Sequence, residues 1–110
     1  MLPSDDSDAS LVDRLESLAL APHAFRHREH VRVAFAMLRA DGLGVGGARF
    51  RRALREFAEH CGAARKFDEA LTAAWLERIA ARIAATPELT DSAAFLAAHA
   101  DLLDATAVRR

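Results

Sequence analysis

Apolar residues recur every three or four positions along most of the chain, which is the spacing of amphipathic helices. No segment alternates polar and apolar residues over the length of a strand, so the pattern predicts an all-α fold. The predicted helices cover roughly residues 10–20, residues 22 or 27 to 40, residues 48–61, residues 67–85, and a last segment from 90 or 91 to 103. Such short helices bury their apolar faces only against one another, and we therefore expect a compact bundle of about five helices.

The second predicted helix has two alternative starts. Pro22 suits the first position of a helix, whereas Phe25 could belong to a turn that precedes a start near His27. The glycine-rich stretch 42–47 is predicted to be a flexible connection to the third helix. It is not expected to bind phosphate, because no strand precedes it and no phosphate-loop spacing is present.

Length and composition predict one domain. With 110 residues and 52% hydrophobic content, the chain can bury a core without disulfides; we assign residues 10–110 to a single helical domain and residues 1–9 to a disordered acidic tail. The net charge of −1 argues against nucleic-acid binding, and no apolar run approaches the ~20 residues that span a membrane. One cysteine, Cys61, and an N-terminus without signal-peptide character predict a cytoplasmic location.

Three of the five histidines, His23, His27 and His30, lie within residues 22–30, where the second helix begins. If all three are helical, they fall within an arc of about 60° and could point to one place. If the helix starts late, His23 leaves the group, and only His27 and His30 share a face. Imidazole is the commonest metal ligand in proteins and titrates near neutrality, so this group is the strongest candidate for chemistry.

Two short motifs resemble a family of small, largely uncharacterised bacterial all-helical proteins. Residues 25–34, FRHREHVRVA, resemble its F-x-H-x-x-H-apolar-x-x-A signature, and residues 66–75, KFDEALTAAW, resemble its K-Y-H-E-T-apolar-T-x-x-W signature. Residues 95–103 resemble its C-terminal portion. Phe67, Asp68 and Ala70 replace the family's tyrosine, histidine and first threonine. The resemblance implies that His27, His30 and the position of Asp68 face a common cavity.

The aspartate at position 68 has two interpretations. It still supplies an oxygen, so His27, His30 and Asp68 could form a 2-His-1-carboxylate set for a divalent first-row metal such as iron or zinc. The further candidates for the pocket, or for an outer shell around the metal, are His23, His60, Glu69, Thr72 and Trp75. Alternatively, Asp68 is a helix cap, Trp75 belongs to the core, and the two histidines are ordinary packed or surface residues.

Two classes of function remain open. The first is a small protein with a divalent-metal or polar ligand pocket, acting on a small molecule as an enzyme or as a biosynthetic accessory protein. The second is a non-catalytic helical interaction module with a degenerate site, which forms homodimers or binds another protein. Its contact surface would be an alanine-rich helix face formed by Ala80, Ala81, Ala84 and Ala85.

Overall fold

Four α-helices and short 3₁₀ turns build the part of the chain that the computed structural model describes, residues 7–109. The helices are α1 (Asp8–Glu16), α2 (His27–His60), α3 (Glu69–Ala85) and α4 (Ser92–Ala98). The 3₁₀ turns are Pro22–Ala24, Ala64–Lys66, Ala100–Leu103 and Ala107–Arg109. No strand occurs in this part of the chain, and the radius of gyration of 13.2 Å is that of a compact domain. The all-α prediction is confirmed.

The predicted number of five helices is too high by one, because α2 includes both the second and the third predicted helix. The stretch 42–47 is helical instead of a flexible connection, and only Gly42 departs from helical geometry, with φ 80° and ψ 175°. This conformation is essentially restricted to glycine, because a Cβ clashes with the backbone there. Gly42 therefore divides α2 into a first arm, residues 27–41, and a second arm, residues 43–60.

The two arms fold back on each other. A Cβ placed on Gly46 would collide with the backbone carbonyl of Met37, so the arms touch through their backbones just beyond the bend. At the other end of α2, the rings of Phe25 and Phe57 meet edge to face, with centroids 5.1 Å apart. The start of the first arm and the end of the second arm consequently lie side by side.

Helix α2 has the later of the two starts that the sequence allows. Residues 22–24 form a separate 3₁₀ turn, and α2 begins at His27 after Arg26, whose backbone is extended. The backbone N–H of Arg26 donates to the carboxylate of Glu29 at 3.0 Å, which satisfies one donor at the helix start. The late start is therefore correct, and His23 lies outside the helix.

The first helix begins earlier and ends earlier than predicted. Ser7 caps it, since the Ser7 hydroxyl accepts from the backbone N–H of Ser10 at 3.0 Å. Asp8, placed in the disordered tail by the sequence, is instead held by the backbone N–H of Ser92 at 2.8 Å and by the guanidinium of Arg32 at 3.2 Å. These contacts join α1, α2 and α4. Residues 1–6 of the predicted tail lie outside the described residues.

The core lies where α3 and α4 cover α2. Phe35 of α2 stacks on Phe95 of α4 with ring centroids 4.5 Å apart, and both are fully buried, each contributing about 1.5–3 kcal/mol. Along α3, Leu76 and Ile79 are buried. Among the described residues, no helix is both long and apolar enough to cross a membrane.

Candidate functional site

A cavity of about 580 Å³ lies between the two arms of α2, α3 and the C-terminal segment. Its floor is apolar and buried, formed by Val31, Ala34, Phe50, Phe57, Leu76 and Ile79. Its mouth is marked by exposed residues, Pro22, Lys66, Asp68 and Thr106. A cavity of this size, mostly apolar with a few polar groups, has the character of a small-molecule site.

His27, the first residue of α2, is half-buried in the wall of this cavity. Its Nε2 lies 2.8 Å from the carbonyl oxygen of Leu102, 75 positions along the chain. Because a carbonyl can only accept, Nε2 carries the proton and donates. The imidazole ring also lies against Trp75, with ring centroids 4.7 Å apart. These two contacts fix the orientation of the ring and hold a proton on Nε2.

His30 lies one turn further along α2 and also lines the cavity. Its Nδ1 donates to the carbonyl oxygen of Arg26 at 2.7 Å, and its ring stacks on Phe25 with centroids 4.0 Å apart. Burial lowers the pKa of His30 below its ordinary value, and nearby His27 lowers it further, while the bond to the Arg26 carbonyl acts in the opposite direction. The result is a ring that stays neutral at neutral pH.

The two rings have one property in common, a second nitrogen without a hydrogen-bond partner among the described residues. In His27 this atom is Nδ1, and in His30 it is Nε2. When the ring is neutral, the nitrogen that carries no proton can only accept a hydrogen bond or bind a metal. The cavity wall therefore contains two imidazole acceptors.

The remaining predicted residues that line the cavity come from α3. The Asp68 carboxylate accepts from the backbone N–H of Leu71 at 2.9 Å, so Asp68 is the N-cap of α3 as well as a residue of the cavity mouth. Thr72 is buried in the wall, and its hydroxyl donates to the backbone oxygen of Asp68 at 2.7 Å. Trp75 is half-buried and also lines the wall. The cavity thus brings together His27, His30, Asp68, Thr72 and Trp75.

Three predicted pocket residues do not line the cavity. His23 is exposed in the 3₁₀ turn because α2 begins only at His27. His60 is exposed at the opposite end of α2. Glu69 is exposed, and its carboxylate pairs with Arg51 at 3.1 Å and with Arg55 at 3.4 Å. These residues belong to the solvated surface and not to the site.

The geometry does not support the predicted metal set. Among residues 7–109, no three or more His, Cys, Asp or Glu side chains are grouped so that they could hold one metal ion. His27, His30 and Asp68 line the same cavity, but Asp68 is an exposed helix cap at its mouth. Sharing a cavity is a weaker condition than converging on one point about 2.0–2.2 Å from every ligand.

Some residues of the site carried no clear signal in the sequence. Phe25 and Lys66 belong to the two motifs and line the cavity, although their residue types do not indicate a binding role. Leu102, whose carbonyl orients His27, and Thr106, at the mouth, come from the C-terminal 3₁₀ region. A contact made by a backbone carbonyl depends on tertiary structure, so residue type and spacing could not reveal it.

Comparison of the chain with models of protein families, with curated proteins and with solved structures finds no match in any of the three. The resemblance to the bacterial helical family, which rests on residues 25–34 and 66–75, therefore stays a prediction. What the protein does has to be inferred from the cavity and the side chains that line it.

Proposed function

We propose that this protein binds a small, predominantly apolar molecule in the cavity, and that His27 and His30 recognise a polar group on it. The observation that supports this most strongly is the combination of an apolar floor with two half-buried imidazoles that each keep a nitrogen open. Both open nitrogens remain accessible to water, so a ligand that enters the cavity can take the place of water at either of them. The proposal includes no chemical reaction.

A molecule the size of a terpene alcohol or a substituted cyclohexane is small enough for the cavity of about 580 Å³ and serves as the test ligand. Apolar burial contributes about 25 cal/mol per Å², but part of this gain is lost to the ordering of the ligand. For a compound with about ten heavy atoms, these terms lead us to expect dissociation constants of ~10 µM to ~1 mM.

The chain contains its own reporter for such binding. Trp75 is the only tryptophan, the sequence has no tyrosine, and the indole lies in the cavity wall. We therefore propose titration with 4-tert-butylcyclohexanol, which does not absorb where tryptophan does, and measurement of the Trp75 emission. We expect a saturable change, because a ligand in the cavity replaces water next to the indole.

Two variants locate the binding site. Ala58→Phe adds a ring to a half-buried residue that lines the cavity, and Ala81→Phe adds the same ring to an exposed residue of α3 outside it. We expect roughly tenfold weaker binding, or none, in Ala58→Phe, a loss of at least ~1.4 kcal/mol, and wild-type binding in Ala81→Phe. Equal affinity in both variants would place the binding elsewhere.

We also propose that the protein works in the reducing environment of the cytoplasm. The only cysteine, Cys61, is a free thiol, is half-buried and lines the cavity. A thiol in that position would be exposed to oxidation in a compartment that forms disulfides. The near balance of 15 basic and 16 acidic residues argues against nucleic acid as the partner.

The alternative function, a helical interaction module, has weaker support. Of the alanine-rich face of α3, Ala81, Ala84 and Ala85 are exposed and Ala80 is half-buried. Small exposed residues permit a close approach of another helix, but they do not identify a partner. We therefore favour the cavity, where the polar groups specify what a ligand must offer.

A further inference from the structure

We infer that the polar group of the ligand is a neutral hydroxyl, which donates its hydrogen bond to one of the two open imidazole nitrogens, Nδ1 of His27 or Nε2 of His30. This inference rests on the proposed function and specifies the chemical class of the ligand: an alcohol or phenol with an apolar body. This ligand class follows from which nitrogens of the two rings already make hydrogen bonds within the protein.

The tautomers set the direction of the hydrogen bond. The carbonyls of Leu102 and Arg26 hold the protons on Nε2 of His27 and on Nδ1 of His30, at 2.8 Å and 2.7 Å. When a ring is neutral, the nitrogen that remains open is therefore an acceptor. A ligand atom that approaches them has to be a donor, and an ether or ketone oxygen would bring one lone pair against another.

The charge that a ligand would carry into the cavity also argues for a neutral hydroxyl. A carboxylate has only acceptor atoms at neutral pH, so it cannot satisfy either open nitrogen. An ammonium group is a donor, but it has to lose water in the half-buried wall, and burial there already disfavours the cationic form of His30. The opposite charges of Lys66 and Asp68 are at the exposed mouth, where water screens them.

The residues around the proposed hydroxyl position are suited to contact the hydrocarbon part of the ligand. Phe25 and Trp75 lie against the two imidazoles, at ring-centroid distances of 4.0 Å from His30 and 4.7 Å from His27. Below them, the floor residues Phe50, Leu76 and Ile79 are buried. A ligand that places its hydroxyl at the rings would therefore place its hydrocarbon part on the floor.

A matched ligand series tests the inference on the wild-type protein. The series is 4-tert-butylcyclohexanol, its methyl ether, the corresponding carboxylate and the corresponding ammonium compound, each titrated at pH 7.5 with Trp75 emission as readout. One net hydrogen bond corresponds to a preference of about fivefold to tenfold, so we expect the alcohol to bind that much more tightly than the ether. The carboxylate and the ammonium compound should bind more weakly than the alcohol.

The series separates failure of this inference from failure of the proposed function. If the ether binds as tightly as the alcohol, the cavity binds apolar molecules but the hydroxyl assignment is overturned. If the carboxylate or the ammonium compound binds most tightly, the class is wrong and the cavity remains a ligand site. If none of the four binds, both proposals fail.

Two further measurements test the role of the rings. In the double variant His27→Phe/His30→Phe, we expect the preference for the alcohol over the ether to disappear while the ether keeps its affinity. A persistent preference would overturn the assignment, and the wild-type series decides if the variant does not fold. Titration with Zn²⁺ alone is the second measurement: submicromolar binding that requires both histidines would assign the open nitrogens to a metal and would overturn the hydroxyl.

Discussion

The imidazole of His30 shows most clearly what the sequence predicts at the scale of one residue and what it leaves open. The spacing of His27 and His30 predicts that the two share a helix face, and both are half-buried in the cavity wall. It does not predict which nitrogen is free. That is decided by the carbonyls of Arg26 and Leu102, and the second of these approaches only after the whole chain has folded.

His30 should make the stability of the protein depend on pH between about 5 and 7. Its pKa is lowered in the folded state by burial, so in this range the unfolded chain binds more protons than the folded one. The free energy of unfolding should therefore be highest above the ordinary pKa of histidine and decrease as the pH falls below it. Urea denaturation followed by Trp75 emission at pH 7.5 and pH 5.5 measures this change.

The matched variants for this prediction are His30→Phe and His23→Phe. The first keeps a ring to stack on Phe25 and removes the titratable group, so the difference between the two pH values should shrink. The second changes an exposed histidine outside the cavity and should leave the difference as in wild type. An unchanged pH dependence in His30→Phe would contradict the prediction.

Two carboxylates with lowered pKa values affect the stability only at a lower pH than His30 does. A hydrogen bond from Arg49 lowers the pKa of Glu16, and one from Arg82 lowers that of Asp101. Stability from such groups is lost only as the pH falls through their ordinary values of 4.5 and 3.8 and below. They should therefore not obscure the change that His30 causes above pH 5.

At the scale of elements, the hydrophobic pattern predicts the helical faces better than the connections. The predicted spacing of apolar residues is that of helices, and apolar residues of these helices such as Val31, Phe35 and Ile79 are buried in the core. The glycines at 42–47 indicate a loop because glycine disfavours helices, yet all but Gly42 are helical. The physical reason is tertiary: at Gly46 the missing side chain allows the second arm of α2 to touch the first, and this packing outweighs local propensity.

Gly42 and Gly44 should respond in opposite directions to the same substitution. Both are exposed, and a Cβ on either would meet open space. Gly42→Ala forces an alanine to φ 80° and should lower the free energy of unfolding by about 1–3 kcal/mol. Gly44→Ala, in a helical position, should raise it by about 0.5–1 kcal/mol. Urea denaturation measures both, and a Gly42→Ala variant as stable as wild type would show that the bend does not need glycine.

A second pair, Gly46 and Gly47, tests the contact between the arms. A Cβ at Gly46 would collide with the Met37 carbonyl, whereas a Cβ at Gly47 would meet a side-chain atom of Leu76 at 3.7 Å, an ordinary contact. Gly46→Ala should cost about 1–3 kcal/mol, because the backbones must separate, and Gly47→Ala should cause no loss. Thermal or urea unfolding of the two variants checks this difference, which would be absent if the arms did not touch at Gly46.

At the scale of the whole molecule, the cavity is a product of the complete fold. Its walls come from both arms of α2, from α3 and from the C-terminal segment, and its orienting contact joins His27 to Leu102. The sequence predicts that the domain is all-helical, and the resemblance to the bacterial helical family implies that two histidines and Asp68 face a common cavity. It cannot predict the volume, the apolar floor or the exclusion of His23, His60 and Glu69, because these depend on how the helices cross.

The central claim is that the cavity beside Trp75 takes up an apolar ligand, and nuclear Overhauser effects between ligand and protein protons test it most directly. We predict contacts from the tert-butyl protons of 4-tert-butylcyclohexanol to the indole of Trp75 and to Ile79 on the cavity floor. The exposed apolar residues Leu43, Val45 and Leu103 serve as internal controls. Contacts to those three residues alone, with none to Trp75 or Ile79, would contradict the claim.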